Sequence, residues 1–124
     1  MRRRVWAAVA VVACGSALLP WASALAGYGA IAWDQESGKA GWVWNQPTPR
    51  KAAEMALSQC GAGGCKVIMR TASKQCAAFA TTQDGKVVGA AWRENQNAAR
   101  LSALANCQKR NAGECVVKAS DCNK

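Results

Sequence analysis

Six short stretches of the chain are rich in apolar residues, and turn-forming or helix-forming segments lie between them. Short apolar runs bounded by turn signals are typical of buried strands. We therefore predict strands over residues 29–34, 40–45, 66–70, 77–82, 86–92 and 115–119. Asp84-Gly85 is a strong signal for a tight turn between two of them.

Two other stretches have the period of an amphipathic helix. The first follows Thr48, a good N-cap, and begins with Pro49, whose missing N–H would have no partner at the first helical position. Gly61 is a typical C-terminal stop, and Asn95 has the capping position of the second helix. The predicted buried sides are rich in alanine and comprise Ala52, Ala53, Ala56, Leu57 and Cys60, then Ala99, Ala103, Leu104 and Cys107.

The second half of the chain repeats the first at an offset of 47 residues. Ala30 corresponds to Ala77, Gly38-Lys39 to Gly85-Lys86, Ala56-Leu57 to Ala103-Leu104 and Cys60 to Cys107. Because the helix caps agree independently of these identities, we interpret the chain as a duplicated β-β-α-β unit with halves at about 28–75 and 76–124. We expect one α+β domain over 27–124: an antiparallel six-stranded sheet or half-barrel, with two helices related by a pseudo-twofold axis.

Residues 1–26 have the features of a signal peptide. Arginines at 2–4 precede an apolar stretch, Pro20 interrupts it, and Ala24-Leu25-Ala26 provides small residues for cleavage. We expect a periplasmic or secreted protein that begins at Gly27 and has no transmembrane anchor. The alternative is a lipid anchor at Cys14, because Val11-Val12-Ala13-Cys14 is similar to a lipobox, although the residues that follow are apolar rather than solvated.

Residues 27–124 contain six of the seven cysteines, an even number typical of exported disulfide-bonded domains. Two pairing schemes respect the repeat. One closes the helix-to-strand loops through Cys60–Cys65 and Cys107–Cys115 and ties the halves through Cys76–Cys122; the other pairs Cys60–Cys76, Cys107–Cys122 and Cys65–Cys115. Short, glycine-bearing loops favour the first. We expect no metal site, because these spacings are unlike zinc pairs and the chain has no histidine.

The charge of the chain is mildly basic. Without the three arginines of the predicted signal, 13 Lys+Arg stand against 7 Asp+Glu, a net charge of +6. These charges are scattered in runs of no more than two, which is typical of a solvated surface. We therefore expect no nucleic-acid partner.

Several motifs taken together resemble one known family. They are Tyr28-Gly29-Ala30-Ile31-Ala32, Gly41-Trp42-Val43-Trp44-Asn45, Ala56-Leu57-Ser58-Gln59-Cys60, Gly64-Cys65-Lys66-Val67, Cys76-Ala77-Ala78 and Asp84-Gly85-Lys86. The chain resembles the small exported bacterial proteins grouped as domain of unknown function 4189, and the resemblance implies a secreted or periplasmic disulfide domain without an established activity. Family members often have Gly-Trp in the second strand of the second copy, where this chain has Gly89-Ala90.

The side chains of common catalytic sites are scarce in this sequence. Without histidine, the Ser-His-Asp and Cys-His arrangements are excluded, and the cysteines are expected to be oxidised. No glycine-rich loop precedes a helix in the way that phosphate binding requires. We therefore expect no enzymatic activity, no catalytic residues and no cofactor.

The tryptophans are the sharpest candidates for function. Trp42 and Trp44 lie two positions apart on a predicted strand, so their side chains point to the same side of the sheet. If that side is open, these rings, with Trp92 and the cations Arg50 and Arg93, could stack sugar rings or anchor a protein partner. The competing interpretation, which the pattern favours, is that Trp42 and Trp44 fill the core because the helices contribute few large side chains.

These observations favour a non-enzymatic exported binding module. Its expected partner is another exported protein or a cell-envelope component, and an inhibitor or immunity-type role would fit a small, rigid, cross-linked domain. The alternatives are an envelope-associated structural protein and, with less support, a small hydrolase.

Overall fold

The computed structural model describes residues 27–110 and 113–124, so the predicted signal peptide and Cys14 lie outside the described residues. The elements are β1 (Tyr28–Trp33), β2 (Ala40–Gln46), α1 (Pro49–Cys60), β3 (Lys66–Thr71), β4 (Cys76–Thr81), β5 (Val88–Arg93), α2 (Gln96–Arg110) and β6 (Val116–Cys122). Each half thus has the order strand, strand, helix, strand. None of the helices described here is long and apolar enough to cross a membrane.

The strands form two three-stranded antiparallel sheets, ordered β2-β1-β3 and β5-β4-β6. The predicted antiparallel α+β fold is confirmed, but the six strands do not join into one sheet. Each half forms its own sheet with its first strand at the centre, and the halves meet through the faces of these sheets.

The layers are helix, sheet, sheet, helix. Alternate residues of β4 show this: Ala78 and Ala80 pack with α2, whereas Ala77 and Phe79 pack against the other sheet. Ile31 of β1 lies in the same inter-sheet cluster as Phe79. Across the interface between the sheets, β2 lies near β6 and β3 lies near β5. The second strand of each half therefore faces the last strand of the other half.

The helices end and pack largely as the sequence indicates. Thr48 Oγ1 accepts a hydrogen bond from Lys51 N at 3.0 Å, and Asn95 Oδ1 accepts one from Ala98 N at 3.0 Å. Gly61 closes α1 with a positive φ of 71°. Leu57 differs from the prediction because it is exposed, while Met55 packs against the buried cluster. Ala52, Ala56 and Cys60 are four residues apart and define a narrow buried stripe that leaves Leu57 at its edge.

Glycines in the second strands allow the helices to approach closely. A side chain at Gly41 would overlap the Ala56 carbonyl of α1, and one at Gly89 would overlap the Cys107 amide of α2. Gly41 and Gly89 therefore occupy corresponding places, 48 residues apart. This spacing contradicts the uniform offset of 47.

The correct correspondence shifts the first strands by one residue. Ala30 packs beneath α1 and Ala78, rather than Ala77, packs beneath α2. The extra residue of the first half lies in a bulge, because the pairing skips between Tyr28↔Gln46 and Ala30↔Val43. A shift of one residue moves every side chain of a strand to the other side of its sheet. The counterpart of Trp33 at the end of β1 is therefore Thr81 at the end of β4.

The disulfides are Cys60–Cys65, Cys107–Cys115 and Cys76–Cys122, as in the first of the two pairing schemes. The expectation that Cys76–Cys122 ties the halves is wrong. Cys76 begins β4 and pairs directly with Cys122 of the neighbouring strand β6, so this bond lies within the second sheet.

Residues near the C-terminus connect the halves by hydrogen bonds instead. Asn123 Oδ1 accepts from Asn45 N at 3.0 Å, and Asn123 Nδ2 donates to Thr71 Oγ1 at 2.7 Å. The same Nδ2 donates to the Ala72 carbonyl at 3.0 Å. This side chain belongs to the second half, whereas all three partners belong to the first.

A candidate binding cleft between the sheets

A cleft of about 540 Å³ opens between the two sheets, on the flank where β2 faces β6. Its volume is in the range of small-molecule sites in proteins. We call it the Trp42 cleft. Its lining is Gly38, Lys39, Ala40, Trp42, Gln59, Cys60, Gly61, Phe79, Thr81, Gln83, Asp84, Gly85 and Lys118.

Two aromatic rings form the apolar part of the cleft. Phe79, at the middle of the central strand β4, is fully buried and lies at the base. Trp42 on the edge strand β2 is 36% exposed, and its ring centroid is 5.3 Å from that of Phe79 with an angle of 54° between the planes. Trp42 thus supports its ring on Phe79 while the rest of the indole remains accessible from the cleft.

A β-bulge sets the position of Lys118. Phe79 pairs with Ala119 and Ala80 with Val117, so Lys118 has no partner across the β4–β6 ladder. Bulges re-aim side chains and are frequent at sheet edges and near functional sites. Lys118 is exposed and lines the cleft opposite Trp42, on the other sheet.

Thr81 lines the cleft and has a buried hydroxyl group without a hydrogen-bond partner among the described residues. It follows Phe79 by two residues on β4 and therefore lies on the same side of the strand. The residue is 2% exposed, and its Oγ1 has no hydrogen-bond partner among the described residues. A buried hydroxyl without a partner costs about 1–3 kcal/mol of stability.

Two turns form the upper rim, and each is held by an aspartate. Asp84 Oδ1 accepts hydrogen bonds from Thr82 Oγ1 at 2.7 Å and from Lys86 N at 3.0 Å. The Thr82 hydroxyl is the main cause that lowers the pKa of Asp84 below its ordinary value of 3.8. The Asp84 carboxylate is therefore ionised at neutral pH and engaged within its own turn.

In the other turn, Asp34 accepts a hydrogen bond from Ser37 Oγ at 2.6 Å and others from the Glu36 and Ser37 amides. The Ser37 hydroxyl is the main cause that lowers the pKa of Asp34. Lys39 follows this turn and adds a smaller electrostatic effect in the same direction.

The remaining charge of the cleft is positive. Within residues 27–110 and 113–124 the ion pair is Arg50–Glu54, which lies on α1 and includes neither Lys39 nor Lys118. Gln59 and Gln83 add exposed amide side chains to the lining. The cleft therefore combines an aromatic face, two ammonium groups and several polar groups.

The opposite flank of the interface is less open, and the cavities that Trp33 lines there measure about 200 and 430 Å³. There Trp33 stands at the position that corresponds to Thr81, and its Nε1 donates to the Gly85 carbonyl at 2.6 Å. Ile68 has no partner in the β1–β3 ladder, just as Lys118 has none in the β4–β6 ladder, so the two residues correspond; Ile68 packs against the inter-sheet cluster. Ala90 is the counterpart of Trp42, because Ala90 pairs with Phe79 and Trp42 pairs with Ile31. The indole of Trp33 thus occupies the space that is open in the Trp42 cleft.

Of the five residues that the sequence singles out for binding, Trp42 lines this cleft and the others do not. Trp44 is half-buried and packs against the inter-sheet cluster, which agrees with the core interpretation of its side of β2. Trp92 and Arg93 are exposed at the end of β5, and Trp92 is 45% exposed. Arg50 lies at the start of α1 and pairs with Glu54 at 3.0 Å.

Sequence reasoning missed Phe79, Thr81 and Lys118. An offset of 47 aligns Trp33 with Ala80, which hides the replacement of a tryptophan by a threonine. An offset of 48 over the strands would have revealed it. No sequence signal would have identified Lys118, because a bulge depends on the pairing of two distant strands.

The described residues, which omit 1–26 and 111–112, contain no group of three or more side chains suited to hold a metal ion. The six cysteines of the described residues form the three disulfides.

Comparison with known proteins adds the family. The family described as Domain of unknown function (DUF4189) matches residues 28–122. The chain belongs to this family. The match spans β1 to β6 and includes every residue of the Trp42 cleft, so the cleft is built from the DUF4189 domain itself.

Two curated relatives of this DUF4189 protein are described as uncharacterized: Rv1813c of Mycobacterium tuberculosis and Mb1843c of Mycobacterium bovis. Each is 49% identical over 43 residues, which cover 35% of this chain and 29% of the relative. The matched segment is thus under a third of the relatives' length. The NMR structure of Rv1813c is similar with a TM-score of 0.55 and 24% identity, covering 99% of this chain and 95% of that one. That likeness shows a shared fold.

Proposed function

We propose that this protein is an exported, non-enzymatic binding module and that the Trp42 cleft is its recognition site. The partner is an exported protein or a cell-envelope component that inserts one group into the cleft. The observation that carries the proposal is the difference between the flanks: Trp33 packs into one of them, whereas the other has the larger cleft, of about 540 Å³, and a buried Thr81 hydroxyl that lacks a partner.

The fold does not require this cavity. Trp33 shows that a large side chain fits at the corresponding position and gains a hydrogen bond to a backbone carbonyl there. Thr81 instead leaves apolar surface and a hydroxyl unsatisfied, which lowers stability. Retaining such a site is expected where a ligand uses it, because stability is commonly sacrificed at functional positions.

The chemistry of the cleft supports binding rather than catalysis. Asp84 is the carboxylate that lines it, and the hydrogen bonds of Asp84 keep the pKa of this group low. A general acid needs a raised pKa, and the usual alternative, histidine, does not occur in the chain. The three disulfides support the exported location, since such bonds persist in oxidising compartments.

Capture from a cell-envelope extract tests the recognition site. The immobilised oxidised protein is compared with Thr81→Trp, which copies the filled flank, and with Leu101→Ser, a control at a residue of α2 that is 60% exposed. We expect a component that the wild type and Leu101→Ser retain and that Thr81→Trp loses. Thermal melting verifies that each variant is folded, and Thr81→Leu replaces the tryptophan variant if it is not. Equal capture by the open and filled forms would contradict the proposal.

The exported location has its own test. Amino-terminal sequencing of protein recovered from the periplasm or medium should begin at Gly27, and titration with a thiol reagent should detect no free thiol. An acylated Cys14 at the amino terminus would show a lipid-anchored protein instead.

A further inference from the structure

The side chains that line the Trp42 cleft indicate the chemical class of its ligand; this inference rests on the proposal above that the cleft is the recognition site. We infer that it binds an acidic sugar: a pyranose ring that stacks on Trp42, with a carboxylate held between the ammonium groups of Lys39 and Lys118. Four features of the cleft lead to this inference.

The first feature is the accessible aromatic face. Trp42 is 36% exposed and is braced from behind by Phe79 at 5.3 Å, so its ring is held in place without being covered. The face of an indole carries negative quadrupole charge and attracts the polarised C–H groups on one face of a sugar. The volume of about 540 Å³ accommodates a small saccharide.

The second feature is the set of polar groups around this ring. Thr81 Oγ1 is buried and lacks a partner, and the amides of Gln59 and Gln83 line the same cleft. The two amides are exposed and can both donate and accept hydrogen bonds, which matches the hydroxyl groups around a sugar ring.

The third feature is charge. Lys39 and Lys118 line the cleft from different sheets, and the single ion pair of the described residues involves neither. Asp84 is engaged by the Thr82 hydroxyl and the Lys86 amide. Lys118 lies in a β-bulge, and the corresponding residue of the first half is Ile68. The second half thus has a cation at a position where the first half has an apolar side chain. A carboxylate complements this arrangement better than a neutral sugar does.

The fourth feature is the place of the cleft in the fold. Extended peptides are usually recognised by pairing with the backbone at a sheet edge. The Trp42 cleft lies between the faces of two sheets and is lined mainly by side chains, so strand pairing does not explain it. This favours a saccharide over an acidic peptide as the ligand.

Titration with a defined pair of saccharides tests the inference. The oxidised protein is titrated with trigalacturonate and with its fully methyl-esterified form, which has the same rings without charge. The readouts are calorimetry and the NMR signal of the Trp42 indole N–H. We expect trigalacturonate to shift this signal saturably and to bind at least tenfold more tightly than the ester. Binding should weaken on raising the salt concentration, because the attraction between lysine and carboxylate is screened.

Variants that copy the filled flank complete the test. Lys118→Ile should lower the affinity for trigalacturonate at least tenfold and leave the weak binding of the ester unchanged. Trp42→Ala should abolish the binding of both, whereas Trp92→Ala should bind as the wild type does, since Trp92 lies outside the cleft. Melting curves identify any variant that fails to fold, and Lys118→Met or Trp42→Leu then takes its place.

Three results would overturn the inference: equal affinity for the acid and its ester, an unchanged affinity in Lys118→Ile, or tighter binding of tetraglutamate than of trigalacturonate. If saccharides fail to bind while envelope capture still depends on an open cleft, the ligand class is wrong and the recognition site stands. If capture is independent of Thr81→Trp, the proposed function fails first.

Discussion

The two flanks of the inter-sheet interface occupy corresponding places in the fold, yet one is packed more closely than the other, which has a cleft of about 540 Å³. On the packed flank Trp33 and Ile68 contribute their side chains to the inter-sheet cluster. On the open flank Thr81 and Lys118 stand at the same positions and line a cleft. The comparison shows that a few side chains, on an otherwise similar backbone, decide whether an internal interface becomes a binding site.

The flanks also differ in how their strands are held together. On the open flank, β4 and β6 are joined by Cys76–Cys122 at the ends of the strands. The corresponding residues on the packed flank are Tyr28 and Ala72, and there Asn123 Nδ2 donates a hydrogen bond to the Ala72 carbonyl at 3.0 Å. The flank that lacks a filling side chain thus has a covalent bond between the strands that line it.

The largest difference between the flanks should come from removing this bond. The double substitution Cys76→Ala/Cys122→Ala opens a loop with a sequence separation of 46 residues, and we expect it to lower the free energy of unfolding by about 4 kcal/mol. Cys107→Ala/Cys115→Ala, with a separation of 8 residues and no cysteine in the cleft lining, is the matched control, and should cost about 2.5 kcal/mol because a shorter loop constrains the unfolded chain less. Urea denaturation measures both. Equal losses would show that the bond is not what secures the open flank.

Opening the packed flank is the next effect in size. Trp33→Thr removes a large inter-sheet side chain and its hydrogen bond to Gly85, so we expect a loss of about 3 kcal/mol. Trp92→Thr removes the same ring where it is 45% exposed and should cost less than about 1 kcal/mol. Thermal unfolding followed by circular dichroism separates these values. A small effect of Trp33→Thr would refute the view that this flank depends on its filling.

A smaller effect with opposite sign should appear at neighbouring threonines. Thr81→Val removes a buried hydroxyl without a partner and should raise the free energy of unfolding by about 1 kcal/mol. Thr82→Val is the control, because its hydroxyl donates to Asp84 and accepts from the Val87 amide; it should lower stability by about 1 kcal/mol. If both variants lose stability, the Thr81 hydroxyl has a partner that a rigid structure does not show.

The smallest predicted effect is the pH dependence of the two turns. The pKa of Asp34 and of Asp84 is lowered in the folded protein by hydrogen bonds from Ser37 and Thr82 respectively. A lowered pKa means that the stabilisation is fully present above the unfolded value near 3.8 and is lost as the pH falls through the lower folded value.

We therefore expect the urea midpoint to fall below about pH 4, where carboxylates begin to be protonated. The fall should be shallower in Asp34→Asn and Asp84→Asn. Identical profiles for the wild type and both variants would mean that other carboxylates govern the acid response.

Elements governed by local chemistry were predictable. The caps at Thr48 and Asn95 and the stop at Gly61 follow from neighbouring residues, so both helices begin, and α1 ends, at the predicted positions. The pairing of Cys60 with Cys65 and of Cys107 with Cys115 was favoured for the same reason, since each closes a short loop. Features that depend on the register of distant strands were not predictable in this way.

The bulge in β2 is the clearest case. It adds one residue to the first half, so corresponding residues of the strands before it are 48 rather than 47 positions apart. Thr81 is therefore the residue of the second half that corresponds to Trp33. The core interpretation of Trp44 agrees with the structure, while Trp42 on the same side of the strand lies at the rim of the interface and lines a cleft. The alternation of side chains along a strand predicts the face of the sheet on which a residue lies. Whether that face is buried depends on the sheet packed against it.

The amino-acid sequence by itself determined the elements, their repeated order, the disulfide-bearing class of domain and the family, because these depend on local periodicity, capping and the spacing of cysteines. Only the tertiary structure decided that the strands divide into two sheets, that Cys76–Cys122 lies within one of them, and that one flank is packed more closely than the other. These features arise from contacts between residues far apart in the chain, such as Trp33 with Gly85 and Trp42 with Phe79. Their energies depend on packing across the interface, which local patterns do not encode.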